Sequence, residues 1–137
     1  MKRKLLFKTI QIPYESVMLF NIVKLKSGVD FDDVEMAMGE MCNIVKNNYG
    51  DENGGFIAGQ VFKYSGFISD EGSIGEVGAE DEHCAIVTYW KSFEQHEKSH
   101  SDQAFKEKFS VLADFCTETK ELGYELLWQD NSELESN

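Results

Sequence analysis

Two histidines in this sequence have a spacing suited to holding a metal ion. The segment His96-Glu97-Lys98-Ser99-His100 matches HExxH, which on a helix puts two imidazoles one turn apart with a glutamate nearby. Either Glu118 or Glu121 could supply a third ligand. A zinc peptidase buries this helix, whereas here the surrounding positions are polar: Glu94, Gln95, Lys98 and Ser99. The pattern therefore favours two polar side chains on a partly solvated helix, with a small zinc hydrolase as the less favoured alternative.

The sequence lacks the other common signatures of cofactor or nucleophile chemistry. Cys42, Cys84 and Cys116 are too far apart for a metal knuckle and odd in number for a disulfide framework. There is no glycine-rich dinucleotide motif after a strand, no phosphate loop and no GxSxG elbow. The glycine-rich acidic segment Ser65 to Glu82 does not follow calcium-loop spacing, so we interpret it as a surface loop, dispensable for folding, that has the length for a lid. We expect no metal and no cofactor.

Charge and length restrict the partners. The chain has 137 residues, with 13 Lys and Arg against 25 Asp and Glu, which gives a net charge of −12. An acidic surface argues against binding to nucleic acid or to an anionic membrane, because both favour a basic face. No apolar run approaches the length of about 18 residues that a membrane span needs. We expect a cytoplasmic protein with a single domain over residues 1–129 and a polar, disordered tail over 130–137.

The apolar periodicity predicts the elements that position these residues. They are an extra N-terminal strand at Leu5 to Ile12, a strand at Val17 to Lys26, a helix with the stripe Phe31, Val34, Met38, Met41 and Val45, a strand at Phe56 to Tyr64, a strand at His83 to Trp90, a helical stretch from Ser92, a second long helix with the stripe Phe105, Phe109, Leu112 and Cys116, and a strand at Glu121 to Gln129. The order of strand, helix, strand, strand, helix, strand is the split βαβ order of ferredoxin-like α+β folds.

The strand that begins at Val17 is apolar on both faces, which has a consequence for assembly. Two main helices cover only one face of a four-stranded antiparallel sheet in a domain of this size. A second copy of the chain is the natural cover for the other face. The sequence therefore predicts a homodimer in which two sheets pack face to face as a barrel.

The segment Ala85 to Phe109 resembles the dimeric α+β barrel superfamily, in particular its antibiotic biosynthesis monooxygenase-like group. The features shared are a strand ending in Trp90, a turn at Ser92, a short helix carrying His96 and His100, a break at Ser101-Asp102, and phenylalanines on the next helix. The resemblance implies a ligand cavity between sheet and helices. Its members range from cofactor-free oxygenases to haem-degrading enzymes and proteins without established activity. Haem is disfavoured here, because the helix face where such a relative would carry a histidine offers Lys108 and Phe109.

The same resemblance implies a site. His100 would lean over the cavity mouth and polarise a ligand oxygen, and Trp90 and Tyr89 would form an aromatic wall. Asn21, the one polar residue on its strand face, would orient a carbonyl or peroxide. Weaker ligand-binding candidates are Gln60 and Tyr64. The structural alternatives are that Trp90 is core, His100 caps its helix and Asn21 bonds a neighbouring loop.

Two functions follow from this resemblance. One is a cofactor-independent monooxygenase or isomerase that acts on a small aromatic or enol substrate. The other is a non-catalytic binding or stress-response module of the same fold. In the cavity, His100 would lie beside Trp90 and desolvation would lower its pKa, whereas nearby acids would raise it. His96, one turn earlier, is expected to be the more exposed of the two.

Overall fold

A computed structural model describes residues 8–66 and 83–134. Its elements are β1 (Val17–Leu25), α1 (Phe31–Tyr49), β2 (Phe56–Lys63), β3 (His83–Trp90), α2 (Phe93–Ser99), α3 (Gln103–Ala113) and β4 (Cys116–Glu125). Residues 8–12 form no strand, and the rest of the predicted N-terminal strand lies outside the described residues. The predictions for the glycine-rich acidic loop concern residues 67–82 above all, which also lie outside them.

The four strands form one antiparallel sheet in the order β2-β3-β1-β4. This is the ferredoxin-like arrangement that the element order predicted. Strand β1 is central, and its register places Asn21 between Ile86 of β3 and Glu121 of β4. The polar residue of β1 thus faces a carboxylate on its neighbour.

The helices begin where the sequence supplies caps. Asp30 and Asp33 form a reciprocal capping box at the start of α1, and the Ser92 hydroxyl accepts a hydrogen bond from the Gln95 backbone nitrogen at the start of α2. Asp102 caps α3 in the same way, by accepting from the backbone of Phe105. The buried residues of α1 are the predicted ones: Val34, Met38, Met41 and Val45. In the part of the chain described, no helix combines the length and apolarity that crossing a membrane requires.

The predicted last strand was wrong in its bounds. The sequence placed it at Glu121 to Gln129 and put Cys116 on the preceding helix, but β4 begins at Cys116 and ends at Glu125. The helix ends at Ala113, and the backbone nitrogen of Lys26 donates to the carbonyl of Phe115, where the turn leads into the sheet. Pairing with all of β1 requires this register. Helical periodicity continued by chance to Cys116, which misplaced the boundary.

The two faces of the sheet have different neighbours. The helices pack on the face that carries Leu19, Val23 and Ile86, and the buried core lies there. By strand alternation the opposite face carries mostly apolar residues, among them Met18, Phe20, Ile22, Phe62, Ala85, Val87, Leu122 and Tyr124. Within this single chain Phe62 is 50% exposed and Tyr124 47% exposed. Both faces of β1 are therefore apolar apart from Asn21 and Lys24.

Candidate functional site

A cavity of about 290 Å³ lies between the helices and the sheet. Asn21, Trp90 and His100, which the sequence analysis assigned to one site, all line it. Most of the remaining wall is apolar and comes from Val23, Met41, Cys42, Val45, Phe56, Ile86, Phe105 and Phe109. The cavity is thus an apolar chamber with a small polar region.

The polar region is a cluster formed by His96, His100 and Glu121. Helix α2 places the two histidines one turn apart, with their Nε2 atoms 3.0 Å from each other. The carboxylate of Glu121, on β4, lies 3.2 Å from His96 Nε2 and 3.6 Å from His100 Nε2. We call these three residues the His-His-Glu cluster. All three line the cavity.

Asn21 ties the cluster to the sheet. Its Nδ2 donates to the carbonyl oxygen of Ile86 at 3.1 Å, and strand pairing places Asn21 beside Glu121. Burial by itself raises the pKa of Glu121. The hydrogen bond from His96, the charges of His96 and His100, and the polar side chain of Asn21 outweigh burial and hold that pKa below its ordinary value. Glu121 is therefore a carboxylate at neutral pH.

The pKa of His100 lies below its ordinary value, as the sequence analysis expected for a residue in a cavity. Desolvation is the largest cause and lowers this pKa, and the charge of His96 lowers it further. The negative charges of Glu121 and Glu97 raise it, but they do not outweigh the lowering. The imidazole of His100 is accordingly biased toward its neutral form. His100 also ends α2, but its side chain faces the cavity.

The relative exposure of the two histidines was predicted wrongly. The side chain of His96 is only 8% exposed, whereas that of His100 is 46% exposed. His96 is also the one that contacts Trp90, with ring centroids 5.3 Å apart, and His100 instead stacks on Phe105. The later histidine is therefore the one nearer to solvent.

Trp90 has both a structural and a lining role. It is 1% exposed, packs edge-on against Phe56, and donates from Nε1 to the Thr88 hydroxyl at 2.9 Å. The alternative that Trp90 is a core residue is thus also correct. Its indole N–H is occupied, so what it offers a ligand is an apolar surface.

Tyr89, Gln60 and Tyr64 lie on the opposite face of the sheet and are not among the residues that line the cavity. The Tyr89 hydroxyl donates to Gln60 Oε1 at 2.9 Å, and the Tyr64 ring stacks on His83. Successive residues of a strand point to opposite faces, so Tyr89 and Trp90 do not form one wall. The assignment of Tyr89, Gln60 and Tyr64 to the same ligand site as Trp90 is not supported.

Glu121 was not predicted to be a member of the cavity site. Glu121 was considered only as a metal ligand, together with Glu118. Glu118 pairs with Lys24 at 3.5 Å on the other face of the sheet. Glu97, the acid inside HExxH, is exposed and is not a lining residue. The correct strand register, which pairs Asn21 with Glu121, is the signal that would have found the cluster.

Cys42 is a further residue that lines the cavity. Burial raises the pKa of its thiol to about 11. The thiol is protonated at neutral pH and is a poor nucleophile. Cys42 therefore contributes to the apolar wall.

Comparison with solved structures identifies the fold. SnoaB, a cofactor-independent oxygenase from Streptomyces nogalater, is 11% identical, with a TM-score of 0.61 over 87% of this chain and 99% of its own. Hydroxynitrile lyase from Passiflora edulis is 12% identical, with a TM-score of 0.61 over 87% of this chain and 100% of its own. A dimeric ferredoxin-like protein of unknown function from Thermobifida fusca is 8% identical, with a TM-score of 0.55 over 87% of this chain and 98% of its own.

No protein-family model and no curated protein matches the sequence. At these identities the structural matches establish the fold and leave the activity open. The chain shares the ferredoxin-like α+β fold of these structures, which confirms the fold that the resemblance of Ala85 to Phe109 implied. Neighbours of this fold include both an oxygenase and a lyase.

Proposed function

We propose that this protein binds a small, mostly apolar organic molecule in the cavity and removes a proton from it, as a cofactor-independent monooxygenase or an isomerase. The observation that carries the proposal is the His-His-Glu cluster, with Asn21 beside it, at one wall of an otherwise apolar chamber. An apolar pocket with a few convergent polar groups is the usual form of a small-molecule site.

The size of the cavity limits the ligand. An apolar protein cavity of about 150 Å³ holds benzene. The cavity here, at about 290 Å³, has nearly twice that volume and suits a molecule of one or two fused rings. Because His96, His100 and Glu121 lie together in a mostly apolar lining, the ligand should carry an oxygen that reaches this cluster.

His100 is the residue best placed to accept the proton. It is the more exposed of the two histidines, and its neutral form has one unprotonated ring nitrogen that can accept a proton. Asn21 lies across the cluster and is positioned to orient the ligand oxygen, on which negative charge develops as the proton leaves. An enol, a phenol or a ketone with an acidic methylene fits these roles.

The fate of the carbanion separates the two reactions. In an isomerase, the proton returns to another carbon of the conjugated system, with no oxidant. In a monooxygenase, dioxygen is the oxidant: a methylene and O₂ give a carbonyl and water. The carbon loses four electrons and the two oxygen atoms gain four, one atom entering the product and the other leaving as water with both hydrogens. Similarity in fold to SnoaB supports the second route.

The test uses 2-tetralone, a two-ring ketone with an acidic methylene, and protein stripped of metal by a chelator. We expect wild-type protein to accelerate exchange of the C1 protons for deuterium, followed by NMR. General base catalysis contributes about 10²–10⁴-fold, so His100→Ala should lose most of the acceleration. Glu94→Gln, an exposed change on the same helix, is the matched control and should retain it.

Two results would contradict this proposal. Exchange no faster than in buffer, with 2-tetralone bound, would leave only the non-catalytic binding module. Full exchange in the His100→Ala protein would assign the proton transfer to another residue. Oxygen uptake with 2-tetralone, measured by electrode, distinguishes the monooxygenase from the isomerase.

We further propose that the protein is a homodimer that buries the sheet face opposite the helices. The support is the apolar content of that face, on which Phe62 and Tyr124 are half exposed in one chain. A contiguous apolar patch of this kind is uncommon on a monomer. Light scattering coupled to size-exclusion chromatography should give twice the chain mass of 15.6 kDa. A mass of one chain at micromolar concentration would refute the dimer.

A further inference from the structure

We propose that the His-His-Glu cluster is a binding site for one divalent transition-metal ion, zinc being the best match, with its open coordination position toward the cavity. The site consists of His96 Nε2, His100 Nε2 and a Glu121 carboxylate oxygen, whose donor atoms all lie within 4.8 Å of one another. The metal site needs only the three donors, and a bound ion would use the His100 lone pair, so the proton transfer proposed above belongs to the metal-free protein.

The distances between the donor atoms are those that a tetrahedral ion requires. Two ligands bound about 2.0–2.1 Å from zinc at the tetrahedral angle lie about 3.3 Å apart. The two Nε2 atoms are 3.0 Å apart, Oε2 of Glu121 lies 3.2 Å from Nε2 of His96, and Oε1 of Glu121 lies 3.6 Å from Nε2 of His100. An ion could therefore enter between the three donors with shifts of a few tenths of an ångström.

The orientation of the imidazoles supports the same conclusion. Both histidines turn the same ring nitrogen, Nε2, toward a single point that the carboxylate also faces. A hydrogen bond between two neutral imidazoles uses one protonated and one bare nitrogen. A metal ion instead accepts a lone pair from each of the two imidazoles and from the carboxylate. All three groups can therefore bind the ion at the same time.

The donor types favour zinc over the hard cations. Two imidazoles and one carboxylate form a set found in catalytic zinc sites, whereas calcium and magnesium prefer oxygen ligands. Asn21 is paired with Glu121 across the two strands and is the polar neighbour nearest in register to this ligand. Three protein ligands leave a fourth position unfilled. Since all three residues line the cavity, a ligand oxygen bound there can occupy that position.

This site differs from that of an HExxH hydrolase. In those enzymes the glutamate within the motif activates a metal-bound water. Here Glu97 is exposed and lies outside the cavity lining, so the acid of the cluster comes from β4 instead. The expected occupant of the open position is consequently the oxygen of an organic ligand, for which 2-naphthol is a suitable probe.

The test is a titration of the full-length, chelator-treated protein with Zn²⁺ and with Co²⁺. We expect one ion per chain by calorimetry, and the intense visible absorption of tetrahedral Co²⁺. Loss of an outer-shell partner typically weakens metal binding by about 10–100-fold, so loss of a direct ligand in His100→Ala or Glu121→Gln should weaken it at least that much. The matched control is Glu118→Gln, which removes an exposed acid from the same strand on the opposite face.

Several results would overturn the metal site. They are no binding by wild-type protein, an octahedral Co²⁺ spectrum, or equal affinity in His100→Ala, Glu121→Gln and Glu118→Gln. His96 is buried, so the His96→Ala result counts only if circular dichroism shows that the variant folds. The His100 and Glu121 side chains are 46% and 30% exposed, so their variants keep the test decisive. Binding of 2-naphthol should be tighter in zinc-loaded protein than in metal-free protein. Equal affinity would show that the open coordination position does not bind the ligand oxygen. Deuterium exchange in metal-free protein tests the proton transfer separately.

Discussion

The two faces of the sheet are built from the same strands but carry different kinds of polar group. On the helix face, Asn21, His96, His100 and Glu121 converge on a cavity. On the opposite face, the Tyr89 hydroxyl and Gln60 Oε1 bond to each other, with apolar neighbours around them. The polar residues of the first face bond to one another but also line a cavity that a ligand can enter, whereas this pair lies outside the cavity. Polarity alone is therefore a poor guide to a site.

The largest expected effect is the loss of Trp90, on the helix face. Trp90→Ala should lower the free energy of unfolding by about 3–5 kcal/mol, because it removes a fully buried ring that packs on Phe56, Tyr49 and His96. Urea denaturation measures the change. A loss below about 1 kcal/mol, the size of an ordinary surface change, would show that this face is not the main core.

The opposite face is tested by Phe62→Asp. If a second copy covers this face, a charge there should convert the dimer to single chains, which light scattering detects as a halved mass. If solvent covers it, the half-exposed site should tolerate the change within about 0.5 kcal/mol and without a change of mass. Lys98→Asp, an exposed change on α2, is the control for added negative charge.

Two strand glycines on the helix face give a matched pair of smaller effect. A Cβ at Gly123 would come within 2.9 Å of Phe93 Cε1, so Gly123→Ala should push α2 from β4 and cost about 1–3 kcal/mol. A Cβ at Gly59 would meet its nearest neighbour at 3.5 Å, an ordinary contact, so Gly59→Ala should cost less. Thermal unfolding of both variants ranks them. The reverse order would mean that α2 does not pack on β4 through Phe93.

The smallest effect is expected for Tyr89→Phe. Removing the hydroxyl breaks its bond to Gln60, and a typical hydrogen bond contributes about 0.5–1.5 kcal/mol. Deuterium exchange of 2-tetralone should be unchanged, since Tyr89 lies across the sheet from the cavity. A large loss of exchange with unchanged stability would return Tyr89 to the ligand site, as the sequence analysis first had it.

Helix positions were predictable because each helix is specified by nearby residues. The stripe from Val34 to Val45 and the cap at Ser92 involve separations of three or four residues, and the structure reproduces them. The end of α3 was not predictable in this way. Cys116 continues the helical stripe but belongs to β4, because pairing with Leu25 on a distant strand fixes it there.

Local spacing determined part of the site as well. The interval of four residues between His96 and His100, and the lone polar residue Asn21 on an apolar strand face, are properties of the sequence itself. Together with the resemblance, which implied the cavity, they placed Asn21, Trp90 and His100 in one site, and all three line the cavity. The prediction of which histidine is the more buried was wrong, because burial depends on where α2 meets the sheet.

What the sequence by itself determined, then, is the order of elements, the stripes of the helices and the facing of His96 and His100 on one short helix. Only the tertiary structure decided that Glu121 joins them, because β4 reaches the cavity through its register with β1, across a separation of about a hundred residues from Asn21. It also decided that Tyr89 and Gln60 face away from Trp90. Strand pairing depends on the packing of side chains on both faces of the sheet. Those side chains come from distant parts of the chain, so no short stretch of sequence specifies the pairing.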